Sequence, residues 1–244
     1  MPYRRLPNTD KARIKALKNA SIKGQEILPF KLAFSQSVFQ KVQSFLPTFE
    51  YTMLQHNQAY TIQVNKNKEY LKVLKKVKLY ISHFIQVVNM AILRGDLSPS
   101  VRKYYGIDEN DKNLPLLNTE SDIIKWGEKI IKGETLRSLK GFSPITNPTI
   151  AVVKVRYEKF LEIYNYQKIL QKNSSRSLKG LALLRPQADE IILNVWNEVE
   201  NSFKNLPEDL KREKAKNYGL VYVFRKNEIR KINFLKPTAH ELVK

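Results

Sequence analysis

The sequence predicts an all-α fold: a pseudo-symmetric helical bundle made from a tandem repeat of long-helix hairpins, with a small C-terminal β-hairpin. Three observations carry that expectation. Apolar residues recur at spacings of three and four through four long stretches, which marks one buried face per helix. Short motifs return in the same order about 110 residues on. After Gly219 the texture changes to the β-branched and aromatic run Leu220-Val221-Tyr222-Val223-Phe224, with Ile229, Ile232 and Phe234 returning beyond a polar turn.

The elements follow in order. Asn8 and Thr9 offer side-chain oxygens to cap a first helix, which Gly24 is expected to end. A long helix is then expected over residues 35–65, burying Val38, Phe39, Val42, Phe45, Leu46, Phe49, Met53 and Tyr60. Its partner is expected over residues 68–94, burying Leu71, Leu74, Val77, Ile81, Phe84, Ile85, Val88 and Ile92. Ser98 and Pro99 open a short closing helix that Gly106 ends. Asn118 and Thr119 then restart the plan, with Gly133 as the matching end. Two further stripes follow, one from Ile150 to Tyr164 and one from Leu181 to Phe203, and Pro207 opens the last short helix. Pro47 and Pro186 fall inside long helices, where a missing N–H and a ring clash predict a kink or break. Tyr105 and Tyr218, each just before glycine, are expected to anchor the closing helices as buried rings. The predicted organisation is repeat 1 over residues 1–110 and repeat 2 over residues 111–244, merged in one core.

Composition bounds the chemistry. The 244 residues are 42% apolar, enough for a sizeable core and too much for a disordered chain. Cysteine is absent, which excludes disulfides and thiol chemistry. His56, His83 and His240 are the three histidines, and His56 and His83 are expected on adjacent antiparallel helices, more than a turn apart. No H-E-x-x-H, no glycine-rich phosphate loop and no dinucleotide fingerprint occurs. The expectation is therefore a non-enzymatic protein with no cofactor and no metal site. No apolar run reaches the roughly 20 residues of a membrane span, and cytoplasmic residence is the default expectation.

What stands out is charge. The chain carries 43 Lys and Arg against 23 Asp and Glu, for a net +20. Two tracts concentrate it where each hairpin is expected to turn: residues 66–78 and residues 168–185. Lys66, Lys68, Lys72, Lys75 and Lys76, with Lys172, Arg176, Lys179 and Arg185, are the predicted polyanion-binding residues. Lys72, Lys75 and Lys76 are expected to face solvent, with Leu71, Leu74 and Val77 buried between them. Lysine dominance and the lack of any base-reading motif predict contact with backbone phosphates of a nucleic acid or ribosome. The competing reading is a helical protein–protein interaction or assembly module whose lysine coat serves solubility. Oligomeric state is left open.

The opening tract PYRRLPNTDKARIKALKNA resembles the start of an uncharacterised helical family of Bacteroidetes-type bacteria. That resemblance implies a bacterial cytoplasmic protein, and it brings no activity or site residues with it.

Overall fold

Thr9 begins the helical part of the chain as expected: its hydroxyl accepts a hydrogen bond from the Ala12 N–H at 3.2 Å, and helix α1 runs Asp10–Glu26. The computed structural model describes residues 3–224. A 3₁₀ turn at Pro29–Lys31 leads into α2, Gln36–Leu93. A second 3₁₀ segment, Pro99–Tyr105, precedes α3 at Glu120–Leu139, α4 at Ile150–Ser202 and α5 at Glu208–Lys216. Strands β1 (Tyr3–Arg4) and β2 (Tyr222–Val223) pair antiparallel, Tyr3 opposite Val223 and Arg4 opposite Tyr222. The fold is helical apart from this small sheet.

The expected hairpins are absent. α2 passes through residues 65–68 without a turn, and α4 likewise runs unbroken, so each predicted helix pair is one helix of 58 and 53 residues. Both run through Pro47 and Pro186 as well. The physical reason is local: Asn65-Lys66-Asn67-Lys68 holds no Gly or Pro, and an apolar period of 3.6 reads the same in a straight helix as in two folded ones. It follows that His56 and His83 lie on the same helix.

Two compact units result rather than one merged core. Residues 3–58 with 175–224 form unit 1, and residues 59–174 form unit 2. Each unit thus takes a segment from either side of residue 110, where the sequence placed its boundary. Unit 1 buries Leu17, Val42, Phe49, Leu181, Trp196 and Val199 together. Unit 2 buries Val77, Ile81, Phe84, Ile123, Ile130, Val153 and Phe160. The predicted stripes are largely these faces, but Tyr60 and Leu71 are corrections: they are 55% and 45% exposed.

Gly24 and Gly133 were expected to end helices, yet α1 runs on to Glu26 and α3 to Leu139. Their role is close approach. A Cβ on Gly24 would lie 2.2 Å from the Phe39 ring, and one on Gly133 would lie 2.3 Å from the Tyr104 carbonyl oxygen. Gly106 and Gly219 do terminate their segments, at φ of 69° and 89° in the left-handed region that glycine tolerates. Tyr105 and Tyr218 are both buried, Tyr105 edge-on to Phe84 and Tyr218 edge-on to Phe34. β2 occupies the first arm of the expected hairpin and pairs with β1. The second arm, residues 229–234, lies outside the described residues. Glu200 pins the sheet to α4, accepting from Tyr222 Oη at 2.7 Å and from Arg4 Nη1 at 3.0 Å.

Candidate polyanion interface

On an α-helix, residues four, seven and eight apart return to one side. Lys68, Lys72, Lys75 and Lys76 have that spacing, and all four are exposed on α2 within unit 2. They span roughly 12 Å of helix axis at 1.5 Å per residue. Among the described residues no carboxylate lies within ion-pair distance of any of them. Lys66 sits on the other side of the helix and pairs with Glu69 at 3.3 Å, so it is neutralised locally. The lysine face is therefore four residues rather than five.

The second tract keeps a shorter run: Lys172, Arg176 and Lys179 stand four and seven residues apart on α4, without an ion-pair partner among the described residues. Lys172 belongs to unit 2, whereas Arg176, Lys179 and Arg185 belong to unit 1. Lys172, Arg176 and Lys179 are exposed. Arg185 is a correction: its guanidinium grips Asp10 with Nε at 2.9 Å and Nη2 at 2.8 Å. Those hydrogen bonds hold the Asp10 carboxyl below its ordinary range, against a smaller opposing effect of burial. Arg13 extends the cluster by a second two-pronged grip on Asp189, at 2.7 and 2.9 Å. Arg185 is therefore engaged in a two-pronged ion pair with Asp10. Both tracts are interior to long helices rather than at the expected hairpin turns.

Some lysines elsewhere on unit 2 are paired. Lys159 pairs with Glu162 at 2.8 Å, and Lys168 with Glu120 at 3.2 Å. Glu120 also accepts from Tyr70 Oη at 2.5 Å, which with Lys168 holds its carboxyl below the usual value. Lys68, Lys72, Lys75 and Lys76 have no such partners among the described residues, and they share that with Lys125, Lys129 and Lys172 of the same unit. His56 Nδ1 and the Ser177 hydroxyl are 3.2 Å apart. Among the described residues no group of three or more His, Asp or Glu is gathered as a metal would require, and no helix is long and apolar enough to cross a membrane.

Sequence reasoning missed one buried polar cluster. Glu134 and Arg137 are completely buried on α3. Arg137 donates to Glu134 through Nε at 2.8 Å and Nη2 at 2.7 Å, and Nη2 also donates to the Ser143 carbonyl. Tyr105 Oη and the Ile145 N–H complete the carboxylate's partners. Burial pushes the Glu134 carboxyl up, but these donors together outweigh it and hold the group below its ordinary value. Burial raises the Tyr105 phenol, and Glu134 adds to the rise, so the hydroxyl stays a donor. The i, i+3 Glu–Arg spacing was visible, but ending the helix at Gly133 hid it. The cluster ties the 3₁₀ segment before α3 to α3 itself and to the chain at Ser143–Ile145.

No family model, curated protein or solved structure matches the chain.

Proposed function

We propose that the protein binds the phosphate backbone of a nucleic acid, free or within a ribonucleoprotein such as the ribosome, through Lys68, Lys72, Lys75 and Lys76. The observation that supports this reading is the unpaired lysine face on α2. Like charges three and four apart on a helix are unfavourable by about 0.2–0.5 kcal/mol per pair. Lys68–Lys72, Lys72–Lys75 and Lys72–Lys76 are three such pairs, offset in part by Glu69 three residues before Lys72, so the face costs about 0.5–1 kcal/mol of helix stability. A coat needed only for solubility avoids that cost by interleaving glutamate, as Lys154–Glu158 and Lys159–Glu162 do on α4. Binding of this kind reads charge spacing rather than base identity, because lysine contacts phosphate as a point charge.

Four phosphate contacts on duplex DNA predict that log K falls with log salt at a slope of about −3 to −4. The test is to replace Lys72, Lys75 and Lys76 by Glu and titrate mixed-sequence DNA and RNA at low and moderate salt. The reading expects a loss of at least tenfold in affinity and a slope shallower by about three. Unchanged affinity in a folded variant would leave these lysines as solubilising residues.

A further inference from the structure

A groove of about 450 Å³ in unit 1 has the composition of a binding site, and the lysine face plays no part in it. Its floor is apolar: Ala16, Trp196 and Leu220 are buried there, and Leu6 and Val221 form walls. Three cations stand around it from three separate elements. Arg5 follows β1, Lys15 lies on α1, and Lys216 lies in the last turn of α5. All three are exposed, and among the described residues none has an ion-pair partner and no Asp or Glu lines the groove. Asn8 and Asn19 add carboxamide groups that donate as well as accept.

The local geometry keeps the groove open. Gly219 sits at φ of 89°, and a Cβ there would stand 3.1 Å from the Asn19 side chain. A glycine at this corner lets the chain turn into β2 while leaving Asn19 in the wall. Two grooves of unit 2 differ in kind. One is lined by two lysines and two glutamates in balance, Lys66, Glu69, Lys159 and Glu162, and the other has no Lys, Arg, Asp or Glu in its lining. The unit 1 groove combines an apolar floor, a volume suited to a ligand of one or two rings, and three cations that no acid opposes among the described residues.

We propose that this groove binds a small organic anion, with a phosphate or carboxylate headgroup held by Arg5, Lys15 and Lys216 and an apolar body seated against Trp196. The carboxamides of Asn8 and Asn19 orient the headgroup by hydrogen bonds. This inference is independent of the polyanion reading, since none of the four face lysines lines the groove.

The experiment is a calorimetric titration of the full chain with 1-naphthyl phosphate, 1-naphthoate and the neutral 1-naphthalenemethanol. One saturable site is expected for the two anions, at least tenfold tighter than for the neutral probe. A preference between the anions then assigns the headgroup, and either order supports an anion groove. Lys15→Glu with Lys216→Glu is expected to weaken the anions at least tenfold. Ala12→Leu, which fills the groove and leaves every charge in place, is expected to weaken all three probes. The Lys72, Lys75 and Lys76 reversal is expected to change none of them. Circular dichroism establishes that each variant is folded. Equal binding of the neutral probe and the anions overturns the proposal, as does wild-type anion affinity in a folded Lys15→Glu, Lys216→Glu protein.

Discussion

Glu134 and Arg137 are shielded from water on every side, so each depends on the other for its charge to be tolerated. Removing one partner strands the remaining ion in the interior. Glu134→Gln is therefore expected to destabilise unit 2 by about 3–5 kcal/mol, read as a loss of denaturant midpoint. The pH dependence has a definite sign. The folded state holds the Glu134 proton less tightly than the unfolded chain does, so its contribution is complete above the unfolded carboxyl's ordinary pKa of about 4.3. It is lost as pH falls through the lower folded value. Asp10 behaves in the same way through Arg185. Acid titration of stability is expected to steepen below about pH 4, and Glu134→Gln is expected to flatten that limb. A Glu134→Gln curve that parallels wild type would contradict the assignment.

Lys72 makes the opposite residue-scale test, because there binding and stability are expected to oppose each other. Lys72→Glu converts three like-charge contacts, with Lys68, Lys75 and Lys76, into attractive ones, against one new repulsion with Glu69 three residues before it. A gain of about 1 kcal/mol in thermal or denaturant stability is expected, together with weaker nucleic-acid binding. Loss of both would place Lys72 in packing rather than on a free face.

At the scale of elements, glycine separates close packing from mere helix content. Gly133 has the Tyr104 carbonyl where its Cβ would be, whereas Gly180, inside α4, has nothing within 4 Å. Gly133→Ala is expected to destabilise by about 1–3 kcal/mol, by overpacking. Gly180→Ala is expected to stabilise by about 0.5–1 kcal/mol, by helix propensity. Paired melts of the two variants check both. Much at this scale was legible in the sequence. Thr9 and Thr119 cap their helices, and Thr119 with Asp122 closes a capping box, because such signals are local. The buried positions from Val38 to Phe49 and from Val77 to Val88 followed from their spacing. The turn at residues 65–68 was wrong because periodicity is blind to whether a helix continues, and nothing there breaks one. Arg185 was read as a free cation because its partner, Asp10, lies 175 residues away in sequence. The groove around Lys15 and Lys216 escaped notice for the same reason, being assembled from three distant segments.

At the scale of the whole molecule, the interleaving of segments makes a further prediction. Unit 1 draws on both ends of the chain and unit 2 on its middle, so a cut between Tyr105 and α3 leaves each unit with a piece of either fragment. Residues 110–114 are exposed, and a site-specific protease sequence inserted after Lys112 is expected to be tolerated and cleaved. The two fragments are expected to co-elute in gel filtration with helix content unchanged. Separation into two folded halves would restore the boundary near residue 110 and contradict the two-unit arrangement.

Charge is the other whole-molecule property, and +20 attracts any polyanion to some degree. The α2 face is expected to bind beyond that background. Two variants of equal net charge separate the two effects, since three Lys→Glu changes take +20 to +14 in each. One reverses Lys72, Lys75 and Lys76, and the other reverses the dispersed, exposed Lys41, Lys125 and Lys204. The measurement is the affinity of both for one mixed-sequence RNA across a salt series. The account predicts that the face variant binds at least tenfold more weakly than the dispersed one, with a shallower salt slope. Equal losses in the two would show that net charge, and not this face, carries the binding.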